Sequence, residues 1–165
     1  MNNRQSLYLL WATILNQSQS AETVLKNTFE LFKRLKLLSN FDKEYKNLNY
    51  EIIEKGITTK PCLHRFPRNM SMNIWDSICM INQKYKGNPK EVFAKSNVNG
   101  NIKGRLMEFQ GIGEHKADTA IIILKIFEGS KGLNSVFEAK CTELFKTIEQ
   151  EMQFLDKLGD VEFDR

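Results

Sequence analysis

The stretch Leu106-Met107-Glu108-Phe109-Gln110-Gly111-Ile112-Gly113-Glu114-His115-Lys116-Ala117-Asp118-Thr119-Ala120 constrains this chain more than any other. Apolar residues recur at helical spacing on both sides of it, over Ile102 to Phe109 and over Glu114 to Phe127, and only Gln110 to Gly113 interrupts them. Two helices must therefore meet at a turn with almost no room for side chains. Glycine suits such a turn because it lacks a Cβ and takes positive φ freely. Ile112, between the glycines, is expected to point inward and pin the turn to both helices. The second helix starts at once, so its unpaired N–H groups and the positive end of its dipole face outward at the bend. That geometry makes an anion site, and nucleic-acid phosphate is a common occupant. Ala117 and Ala120 are small enough for close helix packing, and Lys103, Arg105 and Lys116 are expected to add positive charge nearby. The bland alternative is an ordinary helical corner. A bare Gly-x-Gly is weak evidence; the apolar residue between the glycines, the preceding Leu-x-x-Phe and the small residues that follow strengthen it.

The remainder of the chain reads as helix. Leu7, Leu10, Trp11, Ile14 and Leu15 form one stripe. Val24, Phe29, Leu31, Phe32 and Leu35 form a second, in a helix capped near Ser20 with Glu22 in its first turn. Ser39 to Lys60 is mixed and polar, with a short apolar element around Tyr50 to Ile53; Ile57-Thr58-Thr59 alone has strand-like composition. Pro61 and Pro67 forbid a continuous helix through Lys60 to Asn69. Helix returns over Ser71 to Tyr85, stops at Gly87-Asn88-Pro89, and is followed by a short helix from Lys90 to Lys95. Val136 to Leu158 reads as a final helix. The fold class is all-α.

With 165 residues the chain is one domain, or two small lobes sharing a core. It is 41% hydrophobic, enough for a packed interior, and its formal charge of +4 is compatible with a phosphate partner without demanding one. Cys62, Cys79 and Cys141 lack metal-type spacing and read as reduced thiols of an intracellular protein. No apolar run is long enough to span a bilayer, and the N-terminus carries no export pattern, which predicts a cytoplasmic protein without a membrane partner.

On these residues the chain resembles the helix-hairpin-helix base-excision DNA glycosylases, the superfamily of endonuclease III and the adenine and 8-oxoguanine glycosylases. Its bend is similar to the family's Leu-Pro-Gly-Val-Gly element, with Gln110 in place of proline. Ile14-Leu15-Asn16-Gln17-Ser18-Gln19-Ser20 is similar to the Gln/Ser/Thr-rich helix end that lines the family's lesion pocket. The likeness runs from about Tyr8 to about Lys140. It implies a two-lobed helical bundle in a single domain, 1–165, with one helical lobe over about 20–127 and a second built from the N-terminal helix plus 133–165. It implies double-stranded DNA as partner and a monomer, nucleoid-associated if bacterial. Gly111, Ile112, Gly113 and Lys116 would hold phosphate, and Asn16, Gln17 and Ser18 would wall the base pocket.

The family's chemistry places a carboxylate beside the sugar, where it stabilises positive charge as the glycosidic bond breaks. Glu138 is the acid that fits, where the family has Asp. Bifunctional members also carry a lysine two residues after the second glycine, which attacks the sugar through a Schiff base. Here that residue is His115, and Lys116 is turned about 100° away along the helix. The resemblance therefore implies a monofunctional glycosylase without strong lyase activity, with His115 in an auxiliary polar role. No iron–sulfur cluster is expected, because no cysteine follows Cys141. The resemblance allows a monovalent cation on hairpin carbonyls; no other cofactor or metal is expected.

Lys60 to Met70 mixes bases, an aromatic and the prolines. Arg65 and Arg68 are candidates for backbone contact. Phe66 could wedge into a base stack, but the favoured expectation buries Leu63 and Phe66 and leaves His64, Arg65 and Arg68 in water. Lys33-Arg34-Leu35-Lys36 reads as a solvated helix face, and Trp11 and Trp75 as core. Two rival readings stand beside the enzyme: a non-catalytic DNA-binding accessory protein that kept the hairpin, and a helical protein-interaction module whose glycine turn touches no phosphate.

Overall fold

A computed structural model describes residues 1–95 and 98–127, together with residues 150 and 153. Among the described residues the chain is all-helical, with seven α-helices, one short 3₁₀ helix and no strand. The 133–165 segment expected to join a second lobe lies outside the described residues, apart from Gln150 and Gln153. Among the described residues no helix is long and apolar enough to cross a membrane.

Helix α1 (Asn3–Leu15) is the centre of the molecule. Every residue from Arg4 to Leu15 is buried. The stripe read from the sequence is thus one face of a helix buried on all sides, which its near-continuous apolar run requires. Its polar members are bonded in place. Arg4 Nε donates to Leu37 O at 3.1 Å, Tyr8 OH to Leu25 O at 3.2 Å, and Trp11 Nε1 to Ser77 Oγ at 3.1 Å. Asn2 and Gln5 start the helix with reciprocal side-chain to backbone bonds of 2.8 and 2.9 Å. Helices α2, α5 and α7 and the 3₁₀ turn all pack on α1.

Helix α2 (Ala21–Arg34) is capped by Ser20, whose hydroxyl accepts the Thr23 N–H at 3.3 Å. Helix α3 (Phe41–Lys46) is short. Helix α4 (Tyr50–Thr58) starts on Asn49, whose side chain accepts the Ile52 N–H at 2.9 Å. Ile57 and Thr58 close this helix despite their strand-like composition, and Thr59 is its extended C-cap: Ile53, Gly56 and Ile57 give α4 a buried helical face, and packing overrides β-branched propensity. Helix α5 (Pro67–Lys84) begins four residues earlier than Ser71, because Pro67 at its first position lacks only an N–H that no helix start would use. A 3₁₀ helix (Pro89–Phe93) replaces the short helix expected over Lys90 to Lys95. Helices α6 (Ile102–Met107) and α7 (Glu114–Phe127) then flank the glycine bend.

Candidate nucleic-acid interface

Among the described residues the bend is held from inside and exposed on its outer side. Ile112 is 5% exposed and belongs to the core, and its N–H donates to Phe109 O at 3.1 Å. Gly111 has φ of +88°, and a Cβ there would lie 2.7 Å from Asn73 Nδ2 on α5. Both backbone conformation and close approach therefore require glycine at this position. Gly113 is different: a Cβ would meet nothing within 4 Å. Its carbonyl accepts the Ala117 N–H at 3.0 Å, the first bond of α7. The N–H groups of Gly113, Glu114, His115 and Lys116 have no acceptor among the described residues. Gly111, Gly113, Glu114 and His115 are all exposed.

The bases expected to add charge here are already committed. Lys103 Nζ pairs with Glu114 Oε1 at 2.8 Å and Asp118 Oδ1 at 2.9 Å, and the Glu114 contact, followed by Asp118, raises its pKa. Arg105 is fully buried; its Nε donates to Val92 O at 2.9 Å, and its terminal nitrogens donate to Gly100 O and Ala94 O. It is the clamp of the preceding corner rather than a surface charge. Lys116 is half-buried, and its Nζ donates to Gly111 O at 2.9 Å and to Ile14 O at 3.1 Å. Burial pushes its pKa down. Its ammonium thus turns back onto its own bend and the end of α1, instead of outward with the free N–H groups.

In the 60–70 loop Leu63 is buried and Arg65 and Arg68 are exposed as expected, but His64 and Phe66 exchange places. Leu63 and His64 are each 3% exposed, whereas Phe66 is 38% exposed with the Arg65 guanidinium 5.0 Å over its ring. Arg65 and Arg68 are exposed, with no ion pair among the described residues. His64 Nδ1 accepts the Phe66 N–H at 3.0 Å, while Nε2 lies 3.2 Å from Leu15 O; the second contact places the proton on Nε2. Burial lowers the pKa of His64 below its ordinary value, opposed by its backbone hydrogen bonds at Leu15 and Gln17. Behind this loop Arg34, read from the sequence as part of a solvated face, donates to Gly56 O, Thr59 O and Pro61 O at 2.8, 2.9 and 3.0 Å. Neither His64 nor Arg34 carries a motif. The signal for each was its apolar neighbours, Leu63 and Leu35, which draw the adjacent chain inward.

Three surface segments therefore converge on the end of α1: Asn16 to Ser18, Arg65 to Arg68, and the bend. Lys116 and His64 tie the latter two to the Ile14 and Leu15 carbonyls. Asn16 also lines a cleft between the end of α1, the start of α2 and α7, with Lys116, Thr119 and Ala120 on its α7 wall. Gln17 and Ser18 are exposed and do not line it. The cleft is about 40 Å³, room for a few waters, so a nucleobase enters only if a wall moves. His115 is exposed, with its carbonyl accepting Thr119 Oγ1 at 2.9 Å. Glu138 lies outside the described residues. Among the described residues no group of His, Cys, Asp and Glu is placed to hold a metal ion. No protein-family model matches this sequence, nor does any curated protein or any solved structure.

Proposed function

We propose that this chain is a helix-hairpin-helix base-excision protein of the glycosylase type, which binds duplex DNA at the bend and hydrolyses the N-glycosidic bond of a flipped damaged or mispaired base. One observation carries the reading: N–H groups from Gly113 to Lys116 that have no acceptor among the described residues, at an exposed helix start with Ile112 buried behind them. Donors left unpaired at the surface favour an anion over a neutral partner. Arg65 and Arg68 supply exposed positive charge, a role that Lys103, paired with carboxylates, and Arg105 and Lys116, bonded to carbonyls, do not fill. The target bond is hidden in the base stack, so the base must leave it. The cleft beside Asn16 is its destination, opened by movement of a wall. Glu138 provides the carboxylate beside the sugar. Strand cleavage is not expected, since His115 stands where a Schiff-base lysine would be and Lys116 is engaged with Ile14 and Gly111.

The test is incubation with duplexes carrying a panel of modified bases, followed by hot alkali. Base release that disappears in Glu138→Gln supports the enzyme. The small volume of the cleft favours a second reading, a DNA-binding accessory protein without catalysis. Duplex binding without release of any base supports that reading. Absence of duplex binding at low salt sinks both and leaves the protein-interaction module.

A further inference from the structure

The end of α1 poses a satisfaction problem. In a continuing helix the Ile14 carbonyl would accept from residue 18, but Ser18 has φ of +55° and lies beyond the helix end. The Leu15 carbonyl takes the Gln17 N–H at 2.8 Å and the His64 ring. Ile14 O is left to Lys116 Nζ, 102 residues away in sequence. A cation is the favoured group there, because the last carbonyls of a helix carry partial negative charge. The same ammonium bonds Gly111 O, within the bend, and its side chain lines the cleft. An ammonium has three N–H groups. Among the described residues two are used, on these carbonyls, so the third is available to a group entering the cleft.

We propose that Lys116 is a positioning residue that couples the bend to the cleft, so that phosphate held at the bend and a base entering the cleft strengthen each other's binding. The proposal rests on the nucleic-acid reading of the bend. Its physical content is one side chain with two carbonyl anchors on separate segments. Any shift of the Ile14 to Ser18 segment that widens the cleft must move the ammonium, and the ammonium moves the Gly111 peptide. Coupling of this kind is reciprocal: whatever factor phosphate adds to base capture, base capture adds to phosphate binding. It also assigns a specificity role to a residue that would otherwise read as a plain phosphate contact. Loss of a phosphate contact weakens binding to all duplexes alike, whereas loss of a coupler weakens the distinction between them.

The experiment compares wild type with Lys116→Met, which keeps the aliphatic stem and removes the donors. Affinity is measured by fluorescence anisotropy for a plain duplex and for the same duplex carrying one unpaired, readily flipped nucleotide. The expected result is a weakening on the flipped-base duplex that exceeds the weakening on the plain one, so that the preference for the flipped-base duplex falls about tenfold. Equal weakening on both duplexes, or no change on either, overturns the coupling. Should Lys116→Met fail to fold, Lys116→Gln, which retains one donor group, is measured instead and is expected to lose part of the wild-type preference for the flipped-base duplex; an unchanged preference overturns the coupling. Amide hydrogen exchange gives a readout without DNA. Removing the donors should speed exchange at Asn16 to Ser18 and at Gly111 to Gly113 together, leaving α5 unchanged. Acceleration on one side only contradicts the coupling even if the protein never binds a duplex, whereas wild type that binds no duplex defeats the nucleic-acid reading alone.

Discussion

Helix α6 has two ends that treat polar backbone in opposite ways. Before it, the carbonyls of Val92, Ala94 and Gly100 turn inward, and Arg105 gathers them onto one buried guanidinium. After it, the bend leaves the N–H groups of Gly113 to Lys116 without acceptors among the described residues. Both corners use glycine at positive φ, Gly100 at +94° and Gly111 at +88°. Glycine content alone therefore does not separate a structural corner from a binding one. What separates them is whether the polar groups are closed by the protein's own side chains. Buried polar groups left open cost stability; exposed ones left open are available to a ligand.

The largest effect should come from the closed corner. Arg105→Met removes a buried donor set and strands its carbonyls, and is expected to cost about 3 to 5 kcal/mol in chemical denaturation. A cost near zero would show that the corner is not held as described. Gly111→Ala comes next, with a loss of about 2 kcal/mol from the left-handed backbone and the Asn73 contact. Gly113→Ala sharpens the comparison: its stability should stay within about 0.5 kcal/mol of wild type, since its Cβ meets open space. Duplex affinity should nevertheless fall, because that Cβ occupies the approach to the free N–H groups. Equal stability losses at the two glycines would erase the distinction between pinned and open sides of the bend.

A smaller effect is expected from acid. His64 is buried with its pKa lowered, so its neutral form is the one the fold prefers. Its stabilising share is complete above the ordinary histidine value of about 6.5 and is lost as pH falls from there toward the lower folded value. The melting temperature should drop between pH 7 and pH 5, and His64→Phe, less stable at pH 7, should lack that component. An unchanged pH profile in the variant would remove His64 from the link to α1. The smallest effect belongs to Glu114→Gln, which deletes a negative charge from the first turn of α7 while Asp118 still holds Lys103. Duplex affinity should rise about two- to threefold at low salt and converge with wild type as salt increases. A fall in affinity would place the anion elsewhere.

Much of the helical layout was legible because apolar periodicity is a local signal. The boundaries of α7, the cap at Ser20, the inward Ile112 and the glycine bend all follow from neighbours within one or two turns. The strand-like composition of Ile57-Thr58-Thr59 is a weak local signal, because the helix through Ile57 and Thr58 is decided by burial of Ile53 and Ile57. Charges were the least legible class. Arg34, Lys103, Arg105 and Lys116 all read as surface cations, yet each is engaged with carbonyls or carboxylates. A basic residue declares its charge in sequence, but its partner depends on how segments up to 102 residues apart are brought together. Phe66 and His64 exchanged places for a similar reason. The imidazole can satisfy a helix-end carbonyl and a loop N–H at once, which a phenyl ring cannot.

Amide chemical shifts during titration with a short duplex test the central claim most directly. The account predicts the largest shifts at Gly113, Glu114 and His115, growing with duplex and reversing at high salt, with the exposed Lys33 and Lys36 on and just after α2 little affected. Binding that moves α2 and leaves the bend amides where they were would contradict it.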